Sequence, residues 1–243
     1  ASRHPGLVAQ LVPAPFSLAF DGVVRDWVER RGPLREIRLR DHSGVLADPD
    51  APMNWRLDPA KSGLNCLTLG IHHEAILRWL PGEPVWVSAH GGFGAAERRD
   101  PDTGEPRPTR IPESLQVVGE WEGGARFIYD LSALVPGEGA KEAVLATAGS
   151  SCRVDIAAGR VWEEPGGSGL FRREQGEGDG WNVEADFVES IRAGKPAGLT
   201  GFADGVRYMR FTEAVSRSLA ARGERVFTGE LGGTAPAAPG LRS

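Results

Sequence analysis

The chain has 243 residues, of which 28 are basic and 33 acidic, and 40% are hydrophobic. This length suffices for one large domain or two small ones, and the composition is typical of soluble globular proteins. The net charge of −5 excludes a sequence-wide basic field that would attract nucleic acid or anionic lipid. No run approaches the ~20 apolar residues of a membrane span, and no signal peptide is evident. We therefore expect neither nucleic acid nor a membrane as partner.

The two cysteines, Cys66 and Cys152, lie far apart, and neither belongs to a C-x-x-C pair. Two inert, buried thiols in a reducing compartment are the default interpretation, which favours a cytoplasmic location. A single disulfide between them stays open as the alternative. The first residues resemble the end of a helix that runs into a strand, so we expect further sequence upstream.

The first third of the chain combines short apolar runs with amphipathic segments. An apolar stripe of Leu69, Ile76 and Leu80 marks one helix, which Pro81 and Gly82 end. In chain order the patterns predict a buried strand at 7–12, a helix at 17–31, a strand at 34–39, a loop at 41–59 and a helix at 62–80.

The middle of the chain is rich in strands and the end is helical. The patterns predict a strand at 84–89, an exposed excursion at 91–112, a hairpin within 115–134, strands at 143–148, 152–157 and 160–163, a glycine-rich loop at 165–180, and helices at 182–193 and 204–221. This order indicates an α+β fold: a large, mostly antiparallel open sheet with helices on one face. Apolar residues on both faces of several strands suit burial on both sides.

Two glycine-rich runs and a histidine pair are weak candidates for chemistry. Residues 90–94 and 166–169 match neither G-x-G-x-x-G nor the P-loop, and 166–170 fails G-x-S-x-G because Leu170 occupies the last position. His72 and His73 are adjacent, so on a helix they point about 100° apart and cannot easily share one ion. We expect no cofactor-binding motif and no metal site in this chain.

The segment 55–80 carries the candidate site. Asn65, Thr68 and His72 are spaced to share one face of the predicted helix. A histidine there could exchange a proton with a hydroxyl near neutral pH. The plainer interpretation, a solvated face with a hydrogen-bonded histidine, is favoured by the spacing alone.

The same segment resembles a motif of the Gfo/Idh/MocA oxidoreductases (glucose–fructose oxidoreductase/inositol dehydrogenase-like), G-G-G-x-L-x-D-x-G-x-H. Ser62-Gly63-Leu64 stands at the glycines, Thr68 at the aspartate, Gly70 at the last glycine and His72 at the histidine. Further blocks at 31–37, 78–85 and 187–196 are similar to the family in the same order. The resemblance extends over most of residues 7–228.

The resemblance implies a C-terminal domain whose N-terminal Rossmann domain, which binds NAD(P), is missing from this chain. It divides the chain into residues 1–15, a remnant of the end of that domain; 16–228, the substrate and oligomerisation domain; and 229–243, a flexible tail. It also implies a homo-oligomer formed through the sheet face. The chain has neither the glycine fingerprint nor the family's E-K-P lysine, so by itself we expect it to be inactive and to bind neither NAD nor NADP tightly.

For the whole protein, the resemblance implies a dehydrogenase that acts on a sugar or cyclitol hydroxyl, with His72 as the proton acceptor. Trp55, Arg56, Asn65 and Thr68 would orient the substrate. Thr68 departs from the family's aspartate, and a hydroxyl cannot carry the negative charge of a carboxylate. A non-catalytic, self-associating scaffold and an NAD-dependent glycosidase are the alternatives.

Overall fold

A computed structural model of the protein describes residues 6–15, 20–63, 66–137, 139–165, 172–174, 181–198 and 200–231. The helices are α1 (Asp21–Arg31), α2 (Pro59–Ser62), α3 (Leu69–Trp79), α4 (Val183–Ala193) and α5 (Phe202–Ala220). The strands are β1 (Glu36–His42), β2 (Pro84–Gly92), β3 (Glu97–Arg99), β4 (Pro106–Pro108), β5 (Ser114–Trp121), β6 (Arg126–Ser132), β7 (Ala140–Ala146), β8 (Ser150–Asp155), β9 (Arg160–Pro165), β10 (Arg172–Glu174) and β11 (Val226–Phe227).

Nine of these strands form one sheet in the order β10-β9-β8-β7-β1-β6-β5-β2-β11, and β3 and β4 form a separate two-stranded ribbon. β1 lies at the centre of the order, parallel to β6 and antiparallel to β7. Every other pairing between the described strands is antiparallel. The predicted large, mostly antiparallel sheet is therefore confirmed, as are the hairpin β5–β6 and the strands that follow it.

Alternation along the strands gives the sheet one buried face. In β1, Ile37 and Leu39 are buried while Arg38 and Arg40 are exposed, and β5 and β6 alternate in the same way. Side chains two residues apart point to the same face of a strand, so the buried set forms a continuous apolar layer. α1, α3 and α5 pack their apolar side chains into that layer. The helices thus cover one face, as the sequence predicts.

The opposite face of the sheet is open in the single chain. Val118 and Ile128 are direct cross-strand partners at its centre, and they are 37% and 38% exposed. Arg38 lies beside Ile128 on the next strand, and Arg40 beside Asp130. This face therefore has a small apolar centre with charged side chains next to it.

The predicted helix at 62–80 is wrong in its first part. α2 ends at Ser62, and Gly63 follows with a φ of 62°. Leu67 and Thr68 also have left-handed backbones, with φ of 47° and 56°. Left-handed residues cannot continue a right-handed helix, so α3 begins only at Leu69. From there the predicted stripe of Leu69, Ile76 and Leu80 is buried, as expected.

The predicted buried strand at 7–12 is also wrong. Leu7 and Val12 are 71% and 77% exposed, and the segment has no strand pairing. A hydrogen bond of 2.9 Å from Leu11 N to Thr200 O links the segment to the residues before α5, and Leu11 contacts Gly205 of α5. The apolar run therefore packs beside a helix and does not join the sheet.

The predicted exposed excursion at 91–112 is only partly exposed. It contains the β3–β4 ribbon, and the side chain of Arg98 in β3 is completely buried in an ion pair with Glu113. Arg98 also donates to the carbonyls of Leu46 and Ala51, at 2.9 Å each. The ribbon therefore fixes the loop after β1.

The two remaining regions with loop or tail predictions are described only in part. The predicted flexible tail begins with a 3-10 turn, Thr228–Glu230, and Leu231 is buried in the core. Residues 232–243 lie outside the described residues, as does most of the glycine-rich loop at 165–180. Within the described part of the chain, no helix has the length and apolar character needed to cross a bilayer.

Gly119 of β5 provides a test of the sheet's packing. A Cβ at this position would overlap the Trp86 carbonyl oxygen and the Phe127 ring. We expect Gly119→Ala to lower the free energy of unfolding by roughly 1–3 kcal/mol, measured by urea denaturation, because the core must shift to admit the methyl group. Gly149→Ala is the control, since a Cβ there meets nothing within 4 Å. Equal stability of the two variants would contradict the tight packing of β5.

Candidate functional site

A cavity of about 420 Å³ opens where β1 and β6 end. Its lining includes two of the predicted site residues, Arg56 and Thr68, together with the nearby Asn54. The complete lining consists of Asp41, Ser43, Val45, Leu46, Asn54, Arg56, Leu57, Leu67, Thr68, Ile111, Leu131, Ser132 and Ala133. A second cavity, of about 610 Å³, is lined near the start of β1 by Arg30, Arg31 and Arg35 and contains none of the predicted site residues.

His72 lies in the first turn of α3 and does not itself line the cavity. Its side chain is 2% exposed, and its Nε2 is 2.7 Å from Oδ2 of Asp41. Its Nδ1 is 3.0 Å from the carbonyl oxygen of Thr68. The ring is therefore held from both sides, and of the His72–Asp41 pair only Asp41 lines the cavity.

Asp41 is the residue that sequence reasoning missed. It is the second-to-last residue of β1 and the direct cross-strand partner of Lys141 in β7, whose Nζ is 3.0 Å from Asp41 Oδ2. Burial acts to raise the pKa of Asp41, but hydrogen bonds and charges from His72 and Lys141 outweigh it and hold the pKa below its ordinary value. Asp41 is therefore a carboxylate at neutral pH, with two donors on one oxygen.

A signal for Asp41 was present in the sequence. Residues 36–42 alternate, and Ile37 and Leu39 mark the buried face, so the next position on that face is Asp41. A charged residue in a buried register position needs a partner, which points to a functional or structural ion pair. The identity of the partner depended on the fold, because His72 lies 31 positions away.

The other predicted residues divide between the cavity and the surface. Arg56 and Thr68 line the cavity. Trp55 is 53% exposed, and the Arg56 guanidinium lies 4.4 Å from the centre of its ring. Asn65 lies outside the described residues. The structure thus brings Arg56, Thr68 and the His72–Asp41 pair together and leaves Trp55 at the periphery.

The expectation that Asn65, Thr68 and His72 share a helical face is wrong, because Thr68 precedes the first residue of α3 and is left-handed. Its hydroxyl is 2.6 Å from the carbonyl oxygen of Leu67 and 3.4 Å from His72 Nδ1. Thr68 therefore contacts His72 mainly through its backbone. This contact does not depend on the side chain that replaces the motif's aspartate.

The glycines of β2 form no nucleotide-binding turn, and the described side chains form no metal-binding cluster. Gly91 and Gly92 lie inside β2, paired with Leu115 and Ser114, so they form no phosphate-binding turn; residues 166–169 lie outside the described chain. No group of three or more His, Cys, Asp and Glu side chains in the described ranges is arranged to hold a metal. Cys66 and Cys152 are both buried and are not joined by a disulfide, and burial raises the pKa of Cys66 to about 12.

The lowered pKa of Asp41 predicts a pH-dependent contribution to stability. A carboxylate whose pKa is lower in the folded state stabilises the fold above its unfolded pKa, and the contribution is lost as the pH falls through the folded value. Asp41→Asn should therefore be less stable than the wild type in urea at about pH 7, and the difference should narrow at about pH 3. A stability difference between the wild type and Asp41→Asn that is as large at the lower pH as at the higher one would contradict the ion pairing of Asp41.

Comparison with known proteins identifies the domain. The family model described as the GFO/IDH/MocA C-terminal domain matches residues 24–152, which is more than half of the chain. No curated protein matches the chain.

Similar folds occur in solved structures with 16–20% sequence identity. An oxidoreductase domain protein from Kribbella flavida aligns with a TM-score of 0.82 and 20% identity, over 94% of this chain and 68% of that one. A levoglucosan dehydrogenase in complex with NADH and L-sorbose gives 0.78 and 18%, over 92% and 66%. An inositol dehydrogenase homolog complexed with NAD⁺, from Azotobacter vinelandii, gives 0.73 and 16%, over 91% and 65%.

The chain spans about two thirds of the length of these structures. The fold, with its one-sided sheet of nine described strands, agrees with the family match. The chain belongs to the GFO/IDH/MocA C-terminal domain family.

Proposed function

We propose that this chain is the substrate-binding part of an NAD(P)-dependent dehydrogenase that oxidises a hydroxyl group of a sugar or cyclitol. The observation that carries the proposal is the His72–Asp41 pair at the wall of the cavity. A carboxylate and an imidazole within hydrogen-bonding distance can receive or return the proton of a hydroxyl group. The solved structures named above include a dehydrogenase in complex with L-sorbose, which is a sugar.

The lining of the cavity suits a polyhydroxylated ligand. Asp41 offers an acceptor, Arg56 a donor, and Asn54 an amide with both functions. Leu57 and Leu131 supply apolar surface for the C–H groups of a sugar ring. A few polar groups in an otherwise apolar wall are typical of sites that fix the orientation of a small ligand. We assign Trp55, at the periphery of the cavity, as a substrate-orienting residue, and we give the same role to Asn65, which lies outside the described residues.

The cofactor belongs to a different part of the protein in this proposal. A nicotinamide cofactor would accept the hydride, and the residues described above would bind and orient the substrate. Residues 1–15 would then be the end of the nucleotide-binding domain, and the chain alone would be inactive. The segment 6–15 supports this arrangement because it lies beside α5 and is not part of the sheet.

The test is an assay of the chain together with its upstream sequence. We expect reduction of NAD or NADP that depends on a sugar or cyclitol from a panel. Asp41→Asn and His72→Gln should each lower kcat/KM by about 100-fold or more, because both members of the pair are needed to handle the proton. Asp130→Asn is the control, since Asp130 pairs with His42 on the open face of the sheet.

Two outcomes would count against the dehydrogenase. Cleavage of a glycoside without net formation of NADH would favour the NAD-dependent glycosidase. Micromolar binding of NAD or NADP by this chain alone, measured by calorimetry, would contradict the assignment of the cofactor to another domain.

We also propose that the open sheet face binds a second copy of the chain, which would serve either the enzyme or a non-catalytic scaffold. Val118 and Ile128 give this face an apolar centre, Val144 lies beyond Arg38 on the same face, and charges of both signs surround the pair. Apolar side chains that are next to each other and partly exposed favour association, because water is released from them on contact.

Ile128→Asp tests this surface. We expect the wild type to have a mass that is a multiple of the chain mass by light scattering. Ile128→Asp should shift it to the monomer, since the cost of desolvating a carboxylate there exceeds what pairing with the neighbouring Arg38 returns. Val188→Asp is the control, because Val188 is exposed on α4, away from the sheet. A monomeric wild type would exclude both this interface and the scaffold.

A further inference from the structure

The imidazole of His72 lies between two hydrogen-bond acceptors. The Thr68 carbonyl oxygen, 3.0 Å from Nδ1, can only accept. The Asp41 carboxylate, 2.7 Å from Nε2, can also only accept while it is ionised. Each of the two contacts is a hydrogen bond only if a proton lies in it. If both contacts are hydrogen bonds, the pair holds one proton more than a neutral imidazole and a carboxylate hold when they are apart.

The Thr68 hydroxyl does not supply that proton. A hydroxyl has a single hydrogen, and the Leu67 carbonyl oxygen, at 2.6 Å, is the nearer acceptor. The distance from the hydroxyl oxygen to His72 Nδ1 is 3.4 Å, which is long for a hydrogen bond. A neutral ring with a bare Nδ1 would therefore face the Thr68 carbonyl oxygen without a proton between them.

Lys141 decides which partner of the pair carries the extra proton. Its ammonium group is 3.0 Å from Oδ2, the same oxygen that faces His72. A cation there favours the ionised carboxylate, so the extra proton stays on the imidazole ring. His72 Nε2 and Lys141 Nζ then both donate to Oδ2. Oδ1 accepts no hydrogen bond from the part of the chain that the structure describes, although the side chain lines the cavity. Oδ1 is thus the atom with acceptor capacity for a ligand.

We propose that His72 donates from both ring nitrogens and positions Asp41, and that Asp41 is the residue that contacts the substrate hydroxyl. The chemical class of the ligand in this inference rests on the proposed function, whereas the protonation of the His72 ring does not. It changes the expected roles: the histidine does not touch the substrate, and the carboxylate comes from a sheet strand instead of the helical motif. Lys141 keeps that carboxylate ionised.

The state of the ring is measured directly by ¹⁵N-detected correlation spectra of the imidazole groups at about pH 7. His72→Gln assigns the signal. We expect both nitrogens of His72 to be protonated in the wild type. In Asp41→Asn one nitrogen should lose its proton, because a neutral amide does not stabilise the positive charge of the imidazolium. Asp130→Asn should leave the His72 signal unchanged, since its partner is His42 at 2.8 Å. A bare nitrogen in the wild type, or an unchanged ring in Asp41→Asn, would overturn the proposal.

Titration with myo-inositol and with glucose, followed by backbone amide shifts of Ser43 and Thr68, tests the role of Asp41. We expect Asp41→Asn to weaken binding roughly tenfold or more, and His72→Gln to weaken it less, because only Asp41 contacts the hydroxyl. The reverse order would overturn the assignment of roles. If neither compound shifts the wild-type signals, the proposed substrate class and the contact with Asp41 both fail, while the ring spectra still decide the protonation of the pair.

Discussion

Helix α3 is buried on nearly all sides, and this constraint shapes its surroundings. Nine of its eleven residues are buried, including three that are polar or charged: His72, His73 and Glu74. A buried polar group without a partner costs about 1–3 kcal/mol, so each must meet a complementary group from another element. His72 meets Asp41 of β1, and His73 meets the Tyr129 hydroxyl of β6 at 3.0 Å.

Glu74 makes the most connections among these groups. It accepts from Ala14 N at 2.9 Å, from the Thr200 hydroxyl and from Arg78. Arg78 in turn binds Asp21 of α1 at 2.8 Å. One helix thereby fixes the segment before α1, α1 itself and the approach to α5. The candidate site lies at the N-terminal end of α3, where His72 contacts Asp41 at the wall of the cavity.

Local patterns predicted the layers of the fold because alternation and helical stripes report on burial directly. Leu69 and Ile76 indicated the buried face of α3, and Ile37 and Leu39 that of β1. The left-handed residues Leu67 and Thr68 were not predictable in the same way, since neither is a glycine or an asparagine. Of the site, the motif resemblance identified His72. Asp41 and Lys141 were missed because their meeting with His72 depends on strand order, which the sequence pattern does not contain.

The central position of β1 has a consequence for how the molecule assembles. On one side of β1, the strands β2, β5 and β6 pair through contacts within residues 84–132. On the other side, β7, β8 and β9 pair in chain order as antiparallel neighbours. β1, at 36–42, must close loops of about 90 residues or more to reach either group, and such long-range closure is slow. We therefore expect insertion of β1 to be a late step in folding. Asp41 is part of that strand, so its ion pair with His72 should form only when β1 has joined the sheet.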